Sequence, residues 1–260
     1  MAVRQRSTRV ARGQHFLRSS RLAADLVRDA GVAPGDLVLD IGAGTGVLTR
    51  PLLDVGARVV ALELDPALAE QLRRRFARRQ VAVIEADARR SEWPREPFSV
   101  IANLPFAGSL EILGRLLGDP RVPVRAADVV VQWELAAKQT ATWPATMRAT
   151  YWRAWFDLSI AGRLSRTAFA PPPGVDAAVL RITRRPCPLV PPGEHVRYRQ
   201  LLEEAFRARQ PVSRALRHRI THRELRRLAP ALGFDPSPYA RDLDPRQWAA
   251  LHAFVEARGR

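Results

Sequence analysis

Lysine is almost missing from this 260-residue chain: of its 42 basic residues only Lys138 is a lysine. Cysteine occurs once, as Cys187, which excludes a disulfide framework and any multi-cysteine zinc site. No run of about 18 uninterrupted apolar residues is present, so no transmembrane helix is expected. The N-terminus carries charge without the apolar core of a signal peptide, so export is not expected and the cytoplasm is the expected compartment. Low-complexity tracts and internal repeats are missing too. Hydrophobic residues make up 47% of the chain, enough to fill a core.

Acids are the other shortage, 26 against 42 basic residues, for a formal net charge of +16. A surplus of that sign attracts polyanions over long range and makes their binding salt-dependent. The preference for arginine over lysine has a plain source in a GC-rich genome, but that does not explain the excess over acids. The excess is read as a nucleic-acid footprint. Arginine also forks onto phosphates and stacks on bases as lysine does not.

The first 21 residues hold six arginines and no acid, followed by a helical pattern through Leu22, Leu26 and Val27. Short apolar runs then recur at Leu37–Ile41, Val59–Leu64, Val81–Ala86, Phe98–Ala102 and Val129–Val131. Segments with helical periodicity separate them, among them Leu48–Leu53 and Ala67–Phe76. Buried strands alternating with helices predict an α/β fold with a parallel, doubly wound sheet. Two further strand candidates, Phe156–Ile160 and Ala177–Ile182, flank a Pro171-Pro172-Pro173-Gly174 stretch and can form an antiparallel edge pair. Pro186, Pro188, Pro191, Pro192 and Gly193 crowd together as a linker, and from His195 the pattern is helical and arginine-rich. A catalytic domain over 1–185, with a basic N-terminal arm, and a small all-helical RNA-binding domain over 186–260 are expected.

Chemistry concentrates at the carboxyl ends of the predicted strands. Asp40-Ile41-Gly42-Ala43-Gly44-Thr45-Gly46 closes the first strand and opens a helix, where glycines let backbone approach a ligand. Its G-x-G-x-G spacing differs from the dinucleotide fingerprint, and a tight turn alone also wants glycine. Glu63 ends the second strand, about 20 residues past that turn, which suits hydrogen bonds to ribose hydroxyls. A solvated charge is the plainer alternative there. Asp87 ends the third strand, where a carboxylate can accept from an adenine amino group. Asn103-Leu104-Pro105-Phe106 ends the fourth. Methylating an exocyclic amine requires acceptors for its hydrogens. The Asn103 side-chain oxygen and the Leu104 carbonyl can supply two, Pro105 stiffens the backbone, and Phe106 offers a stacking face. A turn would explain Asn and Pro, but not their place at a strand end.

Gly13-Gln14-His15-Phe16-Leu17, the glycine turn, Glu63, Asp87 and Asn103-Leu104-Pro105-Phe106 together resemble the ribosomal RNA adenine dimethylase family. Phe169-Ala170-Pro171-Pro172-Pro173-Gly174-Val175-Asp176 and Arg241-Asp242-Leu243-Asp244-Pro245-Arg246-Gln247-Trp248 extend the likeness over nearly the whole chain. The resemblance implies a Rossmann-like, S-adenosylmethionine-dependent methyltransferase sheet with a small C-terminal all-helical domain, acting on N6 of an rRNA adenine. It implies that His15 and Leu17 meet the methionine side of the cofactor, with Gly42 and Gly44 in the pocket floor. Glu63 would hold the ribose, Asp87 the adenine, and Asn103 would border both methyl donor and target amine. Phe169 resembles a second aromatic that packs on the target base, beside the alternative of an ordinary core phenylalanine. His15 stands where asparagine is usual in the family, and Phe106 where tyrosine is usual.

The family's Erm branch methylates an adenine in the peptidyl-transferase loop of 23S rRNA and blocks macrolide, lincosamide and streptogramin B antibiotics. Its KsgA-type branch dimethylates adenines of small-subunit rRNA in ribosome assembly. Arg184-Arg185-Pro186-Cys187-Pro188-Leu189 resembles the Erm side, so 23S rRNA is the expected partner. Arg207, Arg209, Arg214, Arg217 and Arg219 are candidates for gripping phosphates, with a merely solvated basic face as the alternative. No metal is expected: His218 and His222 are spaced to chelate but have no third ligand nearby. A monomer is expected. The competing classes are a nicotinamide dehydrogenase, a DNA adenine methyltransferase and a non-enzymatic RNA-binding factor. The dehydrogenase would not need Asn103-Leu104-Pro105-Phe106, and the DNA methyltransferase would share the chemistry and differ in accepting duplex DNA. The intact motif set weighs against the non-enzymatic factor.

Overall fold

The computed structural model describes residues 14–143, 145–235 and 237–258. Gly13 and most of the basic N-terminal arm lie outside the described residues. The chain divides into two compact units. The first runs to Ala136 and resumes over Ser159–Thr183; the second comprises Ala137–Leu158 and the chain from Arg184 onward.

The strands are β1 (Phe16–Leu17), β2 (Leu37–Ile41), β3 (Arg58–Glu63), β4 (Val81–Glu85), β5 (Phe98–Asn103), β6 (Val124–Gln132), β7 (Phe156–Leu164), β8 (Phe169–Ala170) and β9 (Ala177–Arg184). Seven of them form one sheet in the order β4-β3-β2-β5-β6-β9-β7, while β1 pairs with β8 separately. From β4 to β6 the neighbours are parallel, and β9 runs antiparallel to β6. All five residues of β2 are buried, as expected of a parallel strand covered on both faces. At the edge, β7 instead alternates exposed positions with buried ones at its start and half-buried ones further on. As the sequence expects, the two late strands are hydrogen-bonded neighbours at one edge of the sheet. With its mostly buried residues β9 sits inside the sheet, between β6 and β7.

Helices α1 (Ser20–Asp29), α2 (Thr49–Asp54), α3 (Pro66–Arg75) and α4 (Ser109–Leu117) belong to the first unit. Side chains fix two of their starts. The Ser19 hydroxyl accepts from the Leu22 N–H, and Asp65 caps α3, which opens on a proline whose missing N–H costs nothing at that position. Chain order reverses between β2 and β5. Their carboxyl ends therefore diverge at the switch point where open α/β sheets bind ligands.

The second unit is built on α5 (Trp133–Thr140, which begins in the first unit), α6 (Met147–Trp152), α7 (His195–Arg207), α8 (Val212–Ala215), α9 (His222–Leu232) and α10 (Pro245–Arg258). Residues 137–158, which the sequence places with the catalytic domain, join this unit for a packing reason. Tyr151 and Trp155 lie ring to ring at 4.9 Å, and Tyr198 of α7 packs on them at 6.1 and 5.8 Å. All three are buried, and the Trp155 indole N–H donates to the Val190 carbonyl at 2.8 Å. An aromatic core therefore recruits a segment that is remote in sequence.

Candidate active site

A cavity of about 490 Å³ opens at the carboxyl ends of β2, β3 and β5, within the usual range of small-molecule sites. His15, Gly42, Glu63, Asp87, Asn103, Leu104, Pro105 and Phe106, all singled out from the sequence, line it.

Glu63 is 3% exposed and does two jobs with its carboxylate. Oε2 accepts the Gly44 N–H at 2.7 Å, and Oε1 accepts the Asp65 N–H at 2.8 Å. It thereby ties the glycine turn to the start of α3. Gly44 has φ +57°, and a Cβ there would fall 2.6 Å from Cε1 of Phe16. That glycine is needed for backbone geometry and ring clearance; it does not line the cavity. Beneath the turn, buried Asp40 accepts a 2.6 Å hydrogen bond from Thr49 Oγ1. Loss of solvation, with the nearby Glu63 charge adding to it, raises the Asp40 carboxyl to about 7 against the opposing Thr49 bond.

Asn103 has its amide fixed from behind. Nδ2 donates to the His15 carbonyl at 2.6 Å, which assigns the other atom as oxygen. Oδ1 is buried and has no hydrogen-bond partner among the described residues; Gln14 Oε1 is in the same position. Two stranded acceptors on the wall of one cavity are costly unless a donor arrives to meet them. Pro105 starts the turn that follows, its carbonyl accepting from the Gly108 N–H and the Ser109 hydroxyl.

His15 is held by its ring. Nδ1 lies 2.9 Å from the Pro171 carbonyl, and since a carbonyl only accepts, the proton is on Nδ1. The imidazole also packs 5.4 Å from Phe106, which meets Phe169 edge-on at 6.1 Å. Pairing of β1 with β8 places Phe16 opposite Ala170 and Leu17 opposite Phe169, strapping the N-terminal segment in place. Leu17 and Phe169 belong to the hydrophobic core and do not line the cavity. Phe169 is 1% exposed and supports Phe106 from behind.

Asp87 is paired. Arg89 forks onto it, with bonds of 2.7 to 3.1 Å, and holds its carboxyl below the ordinary range. Arg89, Leu64 and Asp65, which the sequence did not single out, line the cavity too, as do Gln14 and Phe16, which it gave only as part of the Gly13–Leu17 motif. Leu64 did leave a signal: an apolar residue beyond a strand end, here 58% exposed. Nothing local to Arg89 separates it from the many other arginines.

In the second unit Arg207, Arg209, Arg214 and Arg217 are exposed and pair with no carboxylate among the described residues. Arg219 and His218 are both engaged by Glu204, at 2.9 and 2.8 Å. The described residues contain no cluster of three or more potential metal ligands, and no helix long and apolar enough to cross a membrane.

Residues 5–252 match the family model of ribosomal RNA adenine dimethylases. The chain is 35% identical to an rRNA methyltransferase of Streptomyces thermotolerans, over 95% of this chain and 83% of that one. It is also 35% identical to ribosomal RNA small subunit methyltransferase A of Thermosynechococcus vestitus, over 92% and 93% of the two chains. Among solved structures, the 23S rRNA methyltransferase ErmE matches with a TM-score of 0.81 at 28% identity, covering 93% of this chain and 99% of that one.

Proposed function

Because this chain belongs to the ribosomal RNA adenine dimethylase family, we propose that it methylates N6 of an adenine in the peptidyl-transferase loop of 23S rRNA, giving macrolide-lincosamide-streptogramin B resistance. The broader activity is plain: it is an S-adenosylmethionine-dependent rRNA adenine N6-methyltransferase. Asn103 carries the chemistry, with an anchored amide whose buried oxygen lacks a donor.

The lining fits the cofactor. An α-ammonium group has donors only, and the unpartnered Gln14 oxygen is an acceptor. Glu63 would hold the ribose hydroxyls and Asp87 the adenine amino group. When bound, S-adenosylmethionine supplies an electrophilic methyl on a sulfonium that leaves readily. Asn103 Oδ1 would accept an N–H of the target amine, directing the nitrogen lone pair toward the donor. The acceptor is in place before positive charge develops on that nitrogen. The Leu104 carbonyl would take the second N–H, and Phe106 would stack on the base, which must leave its own stack to arrive. Phe169 acts by keeping the Phe106 ring in place, and no enzyme nucleophile is required.

The likeness to ErmE over nearly the full length of both chains supports the 23S reading, as does the Arg184–Leu189 stretch. The helical part from residue 186 would bind RNA phosphates through Arg207, Arg209, Arg214 and Arg217, and the enzyme would act as a cytoplasmic monomer. The equally identical small-subunit relative favours a second reading, 16S dimethylation. Primer-extension mapping after labelled methyl transfer to protein-free 23S and 16S rRNA separates them. A stop in the 23S peptidyl-transferase loop is expected, and a stop confined to 16S overturns the proposal.

A further inference from the structure

The second unit carries a surface that the methyl-transfer cavity does not use. Trp143 is 61% exposed, more than any other large apolar side chain among the described residues. It is nevertheless anchored. Its indole N–H donates to the Asp242 carbonyl at 3.1 Å, and two residues on the Ala145 N–H donates to the Arg241 carbonyl at 3.0 Å. The segment is thus stitched to the short turn Ala240–Asp242.

Tyr239, 43% exposed, leads into the same turn. Its N–H donates to Asp242 Oδ2 at 2.9 Å, and the Asp242 N–H donates back to the Tyr239 carbonyl at 3.0 Å. The Arg241 guanidinium lies over the Tyr239 ring at 5.8 Å. Asp242 therefore ties down both aromatic residues. Arg148, in the first turn of α6 just beyond the Trp143 segment, lies over the Trp152 ring at 5.9 Å. Arg148 and Arg241 are exposed, and neither pairs with a carboxylate among the described residues. The acid on this turn, Asp242, has Oδ2 engaged by a backbone N–H.

A single exposed aromatic is ordinary. Two of them fixed by backbone bonds beside unpaired guanidinium groups match the components of single-stranded nucleic-acid sites, where rings stack on bases and cations follow the phosphates. Holding the Trp143 ring in advance lowers the entropy lost when a base stacks on it. Protein interfaces also use Tyr, Trp and Arg, so the choice of RNA rests on charge: the chain carries a formal net charge of +16, and both guanidinium groups lack a carboxylate partner among the described residues.

We propose that Trp143 and Tyr239, flanked by Arg148 and Arg241, form a stacking platform for unpaired bases of the RNA substrate. The proposal rests on the rRNA methyltransferase reading. The platform would hold a loop or flanking strand of the RNA while the target adenine occupies the cavity.

The test measures binding of a fluorescently labelled single-stranded oligoribonucleotide across a salt series, together with steady-state methylation of protein-free 23S rRNA. Trp143→Ala should bind about ten-fold more weakly, with the slope of log K against log salt unchanged, while Trp143→Phe keeps most of the affinity. Arg241→Ala should instead make that slope shallower by about 0.7. Under turnover, Trp143→Ala should raise KM for RNA about ten-fold with kcat, melting temperature and cofactor affinity preserved. Wild-type affinity in Trp143→Ala overturns the proposal and leaves the surface to a protein partner. Equal losses in the Ala and Phe variants, with a lowered melting temperature, overturn it in favour of a structural role. If wild-type protein labels no rRNA but oligonucleotide binding still depends on Trp143, the activity reading falls and the platform stands.

Discussion

Replacing Glu63 by glutamine exchanges one carboxylate oxygen for an NH2 group, and the structure says what each oxygen does. The wild-type carboxylate accepts backbone N–H bonds of 2.7 and 2.8 Å on its two oxygens, from Gly44 and Asp65. Glutamine has one oxygen. Its NH2 group must face one of those N–H groups, donor against donor, in a site only 3% exposed. The loss is one charge-assisted bond and one stranded buried N–H, about 1.5–3 kcal/mol. For a chain of this size that lowers the melting temperature by roughly 3–12 °C. Cofactor binding suffers separately, because ribose hydroxyls that can donate to a carboxylate find an amide and a displaced glycine turn. A loss of about 2–3 kcal/mol weakens S-adenosylmethionine binding roughly 30- to 150-fold. Isothermal titration reads the affinity, and turnover at saturating cofactor should stay within a few-fold because Glu63 does not meet the methyl group. Affinity within two-fold of wild type in a folded Glu63→Gln protein would refute the assignment of Glu63 to the ribose.

Three other perturbations follow from the same geometry. Asp40 is raised to about 7 from about 3.9 in the unfolded chain, so between those values the folded state holds a proton that the unfolded state has released. Stability fully present below about pH 4 is therefore lost as pH rises through about 7, on the order of 1.4 kcal/mol per pH unit of that window. Melts at pH 5 and pH 8 should show a larger fall for wild type than for Asp40→Asn; equal falls would remove Asp40 as the cause. Phe106→Ala should lower kcat/KM for rRNA roughly 5- to 150-fold while cofactor affinity holds, and Phe106→Tyr should retain activity. A loss of cofactor affinity matching the loss of activity would argue against base stacking. Substituting Arg207, Arg209, Arg214 or Arg217 by alanine should each reduce the salt slope of RNA binding by about 0.7–0.9 wherever a phosphate contact is lost, and an unchanged slope in all four would show a merely solvated face.

Much of the catalytic unit is legible in the sequence because its signals are local. Continuous apolar runs appear where strands such as β2 are covered on both faces, and Glu63 and Asn103 stand at strand ends beside the glycine turn. What escapes local reading depends on distant partners. The two-residue strands β1 and β8 are too short to show a period, yet their pairing buries Leu17 and Phe169 in the core, away from the cavity. The allegiance of residues 137–158 depends on Tyr198 and appears only when the aromatic rings meet. Gly44 looks like a ligand-facing glycine but serves through its N–H and its lack of a Cβ. His15, in the place of an asparagine, contributes a ring contact to Phe106 and a backbone carbonyl to Asn103.

The central claim is that the stranded Asn103 oxygen directs methyl transfer to an rRNA adenine. Its most direct test is single-turnover transfer of labelled methyl from S-adenosylmethionine to protein-free rRNA, comparing wild type with Asn103→Ala at saturating cofactor. N6-methyladenine should be the labelled product, and the variant should be slower by about 10²- to 10³-fold, the cost typical of removing one preorganised polar group from a transition state. A folded, cofactor-bound Asn103→Ala protein within a few-fold of the wild-type rate would contradict the account.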